Sequence, residues 1–162
     1  MNRARYFFIL ASAWIAVIAL DVFFSGLTPP IHSVEIAAIV IFLTYLFSPL
    51  DRAIIAALVI GALQDFALMR FMGAASASYT LAIALLYISR KTIITRENLA
   101  TVLLSGGIFF SVAEGLEFAR IWNVSYTIIL EMFFRIAVNS ALAGIGYIMI
   151  RKIQKEVHKR FI

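Results

Sequence analysis

The sequence predicts an all-α integral membrane protein folded as a single bundle of six transmembrane helices. Three observations predict it. Hydrophobic residues make up 63% of the 162-residue chain and charged residues only 14%, against roughly 45–50% and ~25% in an ordinary soluble domain. Six apolar stretches reach the about 17–25 residues that a helix needs to cross the hydrocarbon core. The segments between them are too short to hold a further domain. A chain this small keeps a large surface fraction, so water leaves it nowhere to hide that much apolar area. The same figures exclude a disordered chain and an ordinary soluble enzyme. The chain has no cysteine, which excludes a disulfide scaffold, a thiolate metal site and a cysteine nucleophile.

The first span is predicted over residues 6–27. Arg3 and Arg5 ahead of an apolar run resemble the start of a secretory signal. The run is longer than such a signal's apolar region, however, and Asp21 and Pro29-Pro30 stand where small residues for cleavage would be needed. It reads as an uncleaved span. The second span, 34–50, closes at Ser48-Pro49, and Asp51-Arg52 leads into the third, 53–69, which ends at Arg70. The fourth, 73–89, ends at Arg90-Lys91; the fifth covers 99–118 and the sixth 126–150. Spans two to four sit at the short limit, and a re-entrant segment among them would change the count. Turns this short make consecutive helices antiparallel neighbours. Residues 151–162 form a basic tail in which Ile153, Val157 and Phe161 share one helical face. The pattern predicts a basic amphipathic helix on anionic lipid, with docking on a cytoplasmic partner as the alternative.

The net charge of +5 is distributed unevenly. Numbering the span ends alternately places Arg3, Arg5, Arg52, Arg90, Lys91, Arg96 and the five bases of the tail on one side. The other side receives Arg70 and Arg120, and Arg135 falls within the sixth span. The positive-inside rule then puts both termini in the cytoplasm. The basic balance is used up in orientation, and no nucleic-acid partner is expected.

The acids are distributed the opposite way. Asp21, Glu35, Asp65, Glu114, Glu117 and Glu131 fall in the outer half of their spans or near the outer surface. An ionisable group in hydrocarbon costs about 2.5–3.5 kcal/mol even on the lenient insertion scale. Such groups must face one another or face water, so the acids are expected to converge on an outward polar cavity or an ion-pair network. Glu131 and Arg135 are i, i+4 in the favourable acid-first order, and Asn139 continues the stripe. Arg135 is the expected hub, with Glu131 and Asp65 as partners. The cluster reads either as ties between helices, as a pocket for a cationic solute or a partner's side chain, or as a proton or ion path.

Small residues recur at helical spacing: Ser12, Ala16 and Ala19 in the first span, and Ala137, Ala141 and Gly144 in the sixth. Such faces let helices approach closely. Packing inside the bundle is the expected use, and docking of another protein's single span is the alternative. There is no phosphate-binding glycine loop and no paired-histidine zinc motif. His32 and His158 lie far apart, so neither a zinc site nor a histidine-based triad is expected. So little chain lies outside the spans that a soluble substrate has no place to be enclosed, so no enzymatic role and no cofactor is expected, with Glu114 and Glu117 as the one carboxylate pair that keeps the catalytic alternative open.

One segment carries a family resemblance. Gly61-Ala62-Leu63-Gln64-Asp65 is followed by a short turn with Gly73, then by Tyr79-Thr80-Leu81-Ala82 and an apolar run ending before basic residues. It resembles the rod shape-determining protein MreD family, whose third span carries Gly-x-x-x-Asp; Gly61, Asp65 and Gly73 match. The resemblance implies a six-helix fold similar to the substrate-binding subunits of energy-coupling-factor transporters. It implies a non-enzymatic membrane scaffold of the cell-elongation (rod) complex, involved in cell shape and lateral peptidoglycan synthesis in the bacterial cytoplasmic membrane. Implied partners are an MreC-like single-span protein, MreB, RodA and a class B penicillin-binding protein. The dense outer acids depart from the family pattern. They keep open a second reading, a substrate-capture subunit of an energy-coupling-factor vitamin or metal transporter, in which the acids would hold a cationic solute near Trp122 and Tyr126.

Overall fold

A computed structural model describes residues 3–27, 33–69, 71–92, 98–118 and 126–160, with side chains outside the description at 3–11, 25, 92, 117–118 and 157–160. Among the described residues the chain is all-helical. Six helices follow one another: α1 (Arg3–Ser25), α2 (Ile36–Phe47), α3 (Leu50–Ala67), α4 (Ala74–Thr92), α5 (Leu99–Phe118) and α6 (Tyr126–Arg160). Two stretches are long and apolar enough to cross a membrane, Leu99–Leu116 in α5 and Tyr126–Glu156 in α6.

The second span expected over 34–50 is trimmed at both ends. Glu35 is the N-cap of α2, Ser48 is extended, and Pro49 opens α3. The resulting helix has 12 residues, about 18 Å at 1.5 Å per residue, well short of a hydrocarbon core of about 30 Å. It packs on all five other helices and forms the axis of the bundle. Ala37, Ala38, Ile41 and Phe42 on its inner face are fully buried. Phe42 meets Phe109 and Phe110 of α5 at 5.5 and 5.9 Å between ring centroids, and Tyr79 of α4 stacks on Phe109 at 6.3 Å. Pairs of this kind each contribute about 0.5–1.5 kcal/mol beyond area burial.

Helix α3 buries a face of small residues, Ala53, Ala56, Ala57 and Gly61, against α2 and α4. Helix α6 packs on α5 and α2 and buries Asn139, Ala143, Gly144 and Tyr147. It runs 35 residues without a break. Residues 151–160 of the basic tail continue α6 as helix. Nothing interrupts the chain there: no glycine or proline follows Gly146. Ile153 is exposed on this extension; the Val157 side chain and Phe161 lie outside the description.

Candidate functional site

Two of the acids, Asp21 and Asp65, cap helices. A helix leaves its first four backbone N–H groups without intrahelical partners, and its N-terminus carries partial positive charge. In α1, Asp21 is buried and its Oδ1 accepts the N–H of Ala37, in the first turn of α2, at 3.1 Å. In α3, Asp65 is fully buried and both its oxygens accept the N–H of Ala75, in the first turn of α4, at 3.1 Å. Each carboxylate thus satisfies the returning helix of its own hairpin. Glu114 holds the matching place near the end of α5 and is buried.

Gly61 and Gly73 make the second of these caps possible. A Cβ built on Gly61 would stand 2.5 Å from the Ser76 nitrogen and 2.6 Å from its Cα. Only glycine lets the first turn of α4 come this close, one helical turn from Asp65. Gly73 takes φ +91, a conformation L side chains rarely adopt, and aims the chain into α4. The three residues that carry the family resemblance are thus one structural unit at the α3–α4 turn.

Sequence reasoning missed two members of this region. Gln64 donates from Nε2 to Asp21 Oδ2 at 2.7 Å, and its Oε1 accepts the Tyr79 hydroxyl at 2.7 Å. A continuous chain of bonds therefore joins the α2 backbone, Asp21, Gln64 and Tyr79, spanning four helices. The available signal was Gln64 itself, a polar side chain in an apolar run beside Asp65.

The other acids form a separate group on α2, α5 and α6. Arg135 donates from Nη2 to Glu131 Oε1 at 2.9 Å and lies 3.9 Å from Glu35 Oε1. Buried Glu114 also acts on its charge. Asp65 is not a partner of Arg135, contrary to expectation, because the α4 N-terminus holds it. Among the described residues, Asp21 and Asp65 are held at helix N-termini while Glu35 and Glu131 gather at Arg135, so these acids do not meet at one point. Among the described residues no three His, Asp or Glu side chains gather as a metal site. Asn139, fully buried, accepts the Glu35 N–H at 3.0 Å and donates to the Ser33 carbonyl at 3.1 Å, stitching the start of α2 to α6. The Glu117 side chain lies outside the description, as do His32, Trp122 and the His158 side chain.

The small-residue faces behave differently from expectation. Ser12, Ala16 and Ala19 on α1, and Ala137 and Ala141 on α6, are exposed. Of the six, Gly144 alone is buried, with Leu103 of α5 against it. Periodicity marks a smooth helical face but does not choose its neighbour. The exposed face of α1 borders an apolar groove between α1 and α3 of about 450 Å³, walled by Ile15, Ile18, Ala19, Val22, Leu63 and Phe66. At the adjoining turn Met69, Phe71 and Met72 are exposed.

Comparison of the chain with family models, with curated proteins and with solved structures finds no match in any of the three.

Proposed function

We propose that this chain is a multi-pass protein of the bacterial cytoplasmic membrane, with both termini cytoplasmic, that acts as a non-enzymatic scaffold of the MreD type. In this role it holds the single span of an MreC-like partner for the complex that builds lateral cell wall, with MreB, RodA and a class B penicillin-binding protein as further partners. The observation that carries it is the open α1–α3 groove. Its walls are apolar, and the small residues Ala16 and Ala19 on α1 are exposed beside it. Between helices in lipid there is no hydrophobic driving force, so association depends on close van der Waals fit and small residues. This groove sets the small residues Ala19 and Ala67 between apolar walls.

The engagement of the acids supports the same role over solute capture. Asp21 and Asp65 are committed to helix N-termini, and Glu131 and Glu35 to Arg135. These bonds hold the bundle rigid and present the groove as a fixed surface.

The test is Ala19→Trp, which fills the groove from its α1 wall without touching the buried bonds. The variant is expected to purify with unchanged melting temperature and to lose co-purification of the single-span partner from native membranes. Full retention of that partner would count against the groove as its seat.

A further inference from the structure

The opposite end of the bundle holds a second cavity with a different chemistry. The last turns of α2 and α4, the start of α5 and the far half of α6 enclose about 140 Å³. That is well above the roughly 10–15 Å³ that one water requires and leaves room for one tetrahedral oxyanion. Its wall carries Arg90, Thr101, Ser105, Tyr147, Arg151 and Gln154, and among the described residues none that lines it is acidic. Both guanidiniums lie over aromatic rings, Arg90 Cζ 5.6 Å from the Tyr45 centroid and Arg151 Cζ 5.3 Å from that of Tyr147. Phe47 stacks on Tyr147 at 5.5 Å and fixes that ring.

One further atom points to a ligand. Tyr147 is 6% exposed, and its hydroxyl is buried with no hydrogen-bond partner among the described residues. Buried hydroxyls are ordinarily satisfied, and an exception calls for an acceptor. Two guanidiniums, the hydroxyls of Ser105 and Tyr147 and the amide of Gln154 line one wall, while Thr101 donates its hydroxyl to the Asn98 carbonyl at 2.8 Å. Planar guanidinium donors match the spacing of phosphate oxygens.

We infer that this cavity binds a phosphate oxyanion, with Arg90 and Arg151 neutralising its charge and the Tyr147 hydroxyl donating to one of its oxygens. Two sources share this chemistry, the headgroup of an anionic phospholipid and free phosphate. The site itself is independent of the scaffold role; only the lipid source draws on membrane placement.

The experiment uses the full chain, purified in a non-ionic detergent and titrated with phosphatidylglycerol and phosphatidylcholine of identical acyl chains. Native mass spectrometry counts retained lipid, and inorganic phosphate is titrated in parallel by calorimetry. One phosphatidylglycerol is expected to bind saturably, at least tenfold tighter than phosphatidylcholine, and to be displaced by millimolar phosphate. Saturable phosphate binding with no preference between the two lipids supports the site with free phosphate as its ligand. Arg151→Gln and Arg90→Gln are each expected to weaken binding at least tenfold, and Arg52→Gln, exposed at the same end but outside the cavity, to leave it unchanged. Tyr147→Phe removes a hydroxyl that is unsatisfied when the cavity is empty. It is expected to keep the melting temperature and weaken binding several-fold, so it carries the test if an arginine variant fails to fold. Equal loss in Arg52→Gln and Arg151→Gln would mean diffuse surface charge and overturn the site. So would the absence of saturable binding of either probe to the folded wild type, or binding unchanged in both Tyr147→Phe and the folded arginine variants.

Discussion

Gly61→Ala adds one methyl group where the structure has no room for it. The new Cβ would meet the Ser76 nitrogen at 2.5 Å, and it needs about 3.4 Å for ordinary contact. The opposing atom is backbone, so relief requires the first turn of α4 to move away from α3 by up to about 0.9 Å. The two bonds from the Ala75 N–H to Asp65, at 3.1 Å, then stretch toward about 4 Å, outside hydrogen-bonding range. Overpacking costs about 1–3 kcal/mol and loss of a helix cap about 0.5–2 kcal/mol. Alanine gives back about 1 kcal/mol through helix propensity. The net expectation is destabilisation by about 0.5–4 kcal/mol. Gly107→Ala is the matched control: it is also a helix-interior glycine, but a Cβ there meets nothing within 4 Å. It is expected to be neutral or to stabilise by up to about 1 kcal/mol. Thermal unfolding of both variants in one detergent reads the difference. The reasoning is refuted if Gly61→Ala melts at or above wild type, or if Gly107→Ala loses as much.

Asp65→Ala is expected to destabilise by about 0.5–2 kcal/mol, and combined with Gly61→Ala to cost less than the two apart, because both act through the same turn of α4; melting of the double variant checks this. Tyr79→Phe leaves the Gln64 carbonyl oxygen buried without the hydroxyl it accepts, at about 1–3 kcal/mol, whereas exposed Tyr87→Phe is expected to be within about 0.5 kcal/mol of wild type in the same melting assay. Asn139→Ala removes both partners of the chain before α2; each lost bond is expected to cost about 0.6 kcal/mol if the site lies in lipid and up to about 3 kcal/mol if it does not. Limited proteolysis between α1 and α2 should accelerate in that variant.

The helical content and the burial of the acids follow from composition and the cost of charge in an apolar setting. Their destinations were less legible. Asp21 and Asp65 read as members of one cluster because both lie late in spans that the charge pattern expects to run outward. The same position is where a carboxylate reaches the N-terminus of the next helix, and the backbone amides of Ala37 and Ala75 carry no signal in a string of letters. Gly61 and Asp65 were legible as a pair, but their reason, the close approach of Ser76, is a contact fifteen residues downstream. The stripe of Ser12, Ala16 and Ala19 was visible while its outward orientation was not, since spacing defines a face and not the body it meets. Helix α2 is shorter than the expected span because hydropathy counts every residue from Val34 to Leu50, whereas Glu35 caps the helix and the extended Ser48 and Pro49 end it in the backbone. The basic cavity was out of reach because Arg90, Thr101 and Arg151 come from three separate helices.

The most direct measurement is affinity purification of the full chain from native membranes in mild detergent, run beside Ala19→Trp and read by mass spectrometry. Wild type is expected to bring down an MreC-like single-span protein together with cell-wall synthases, and the groove variant to lose the single-span protein. Recovery of a transport ATPase pair with its coupling subunit would contradict the scaffold role and return the buried acids to consideration as part of a solute site.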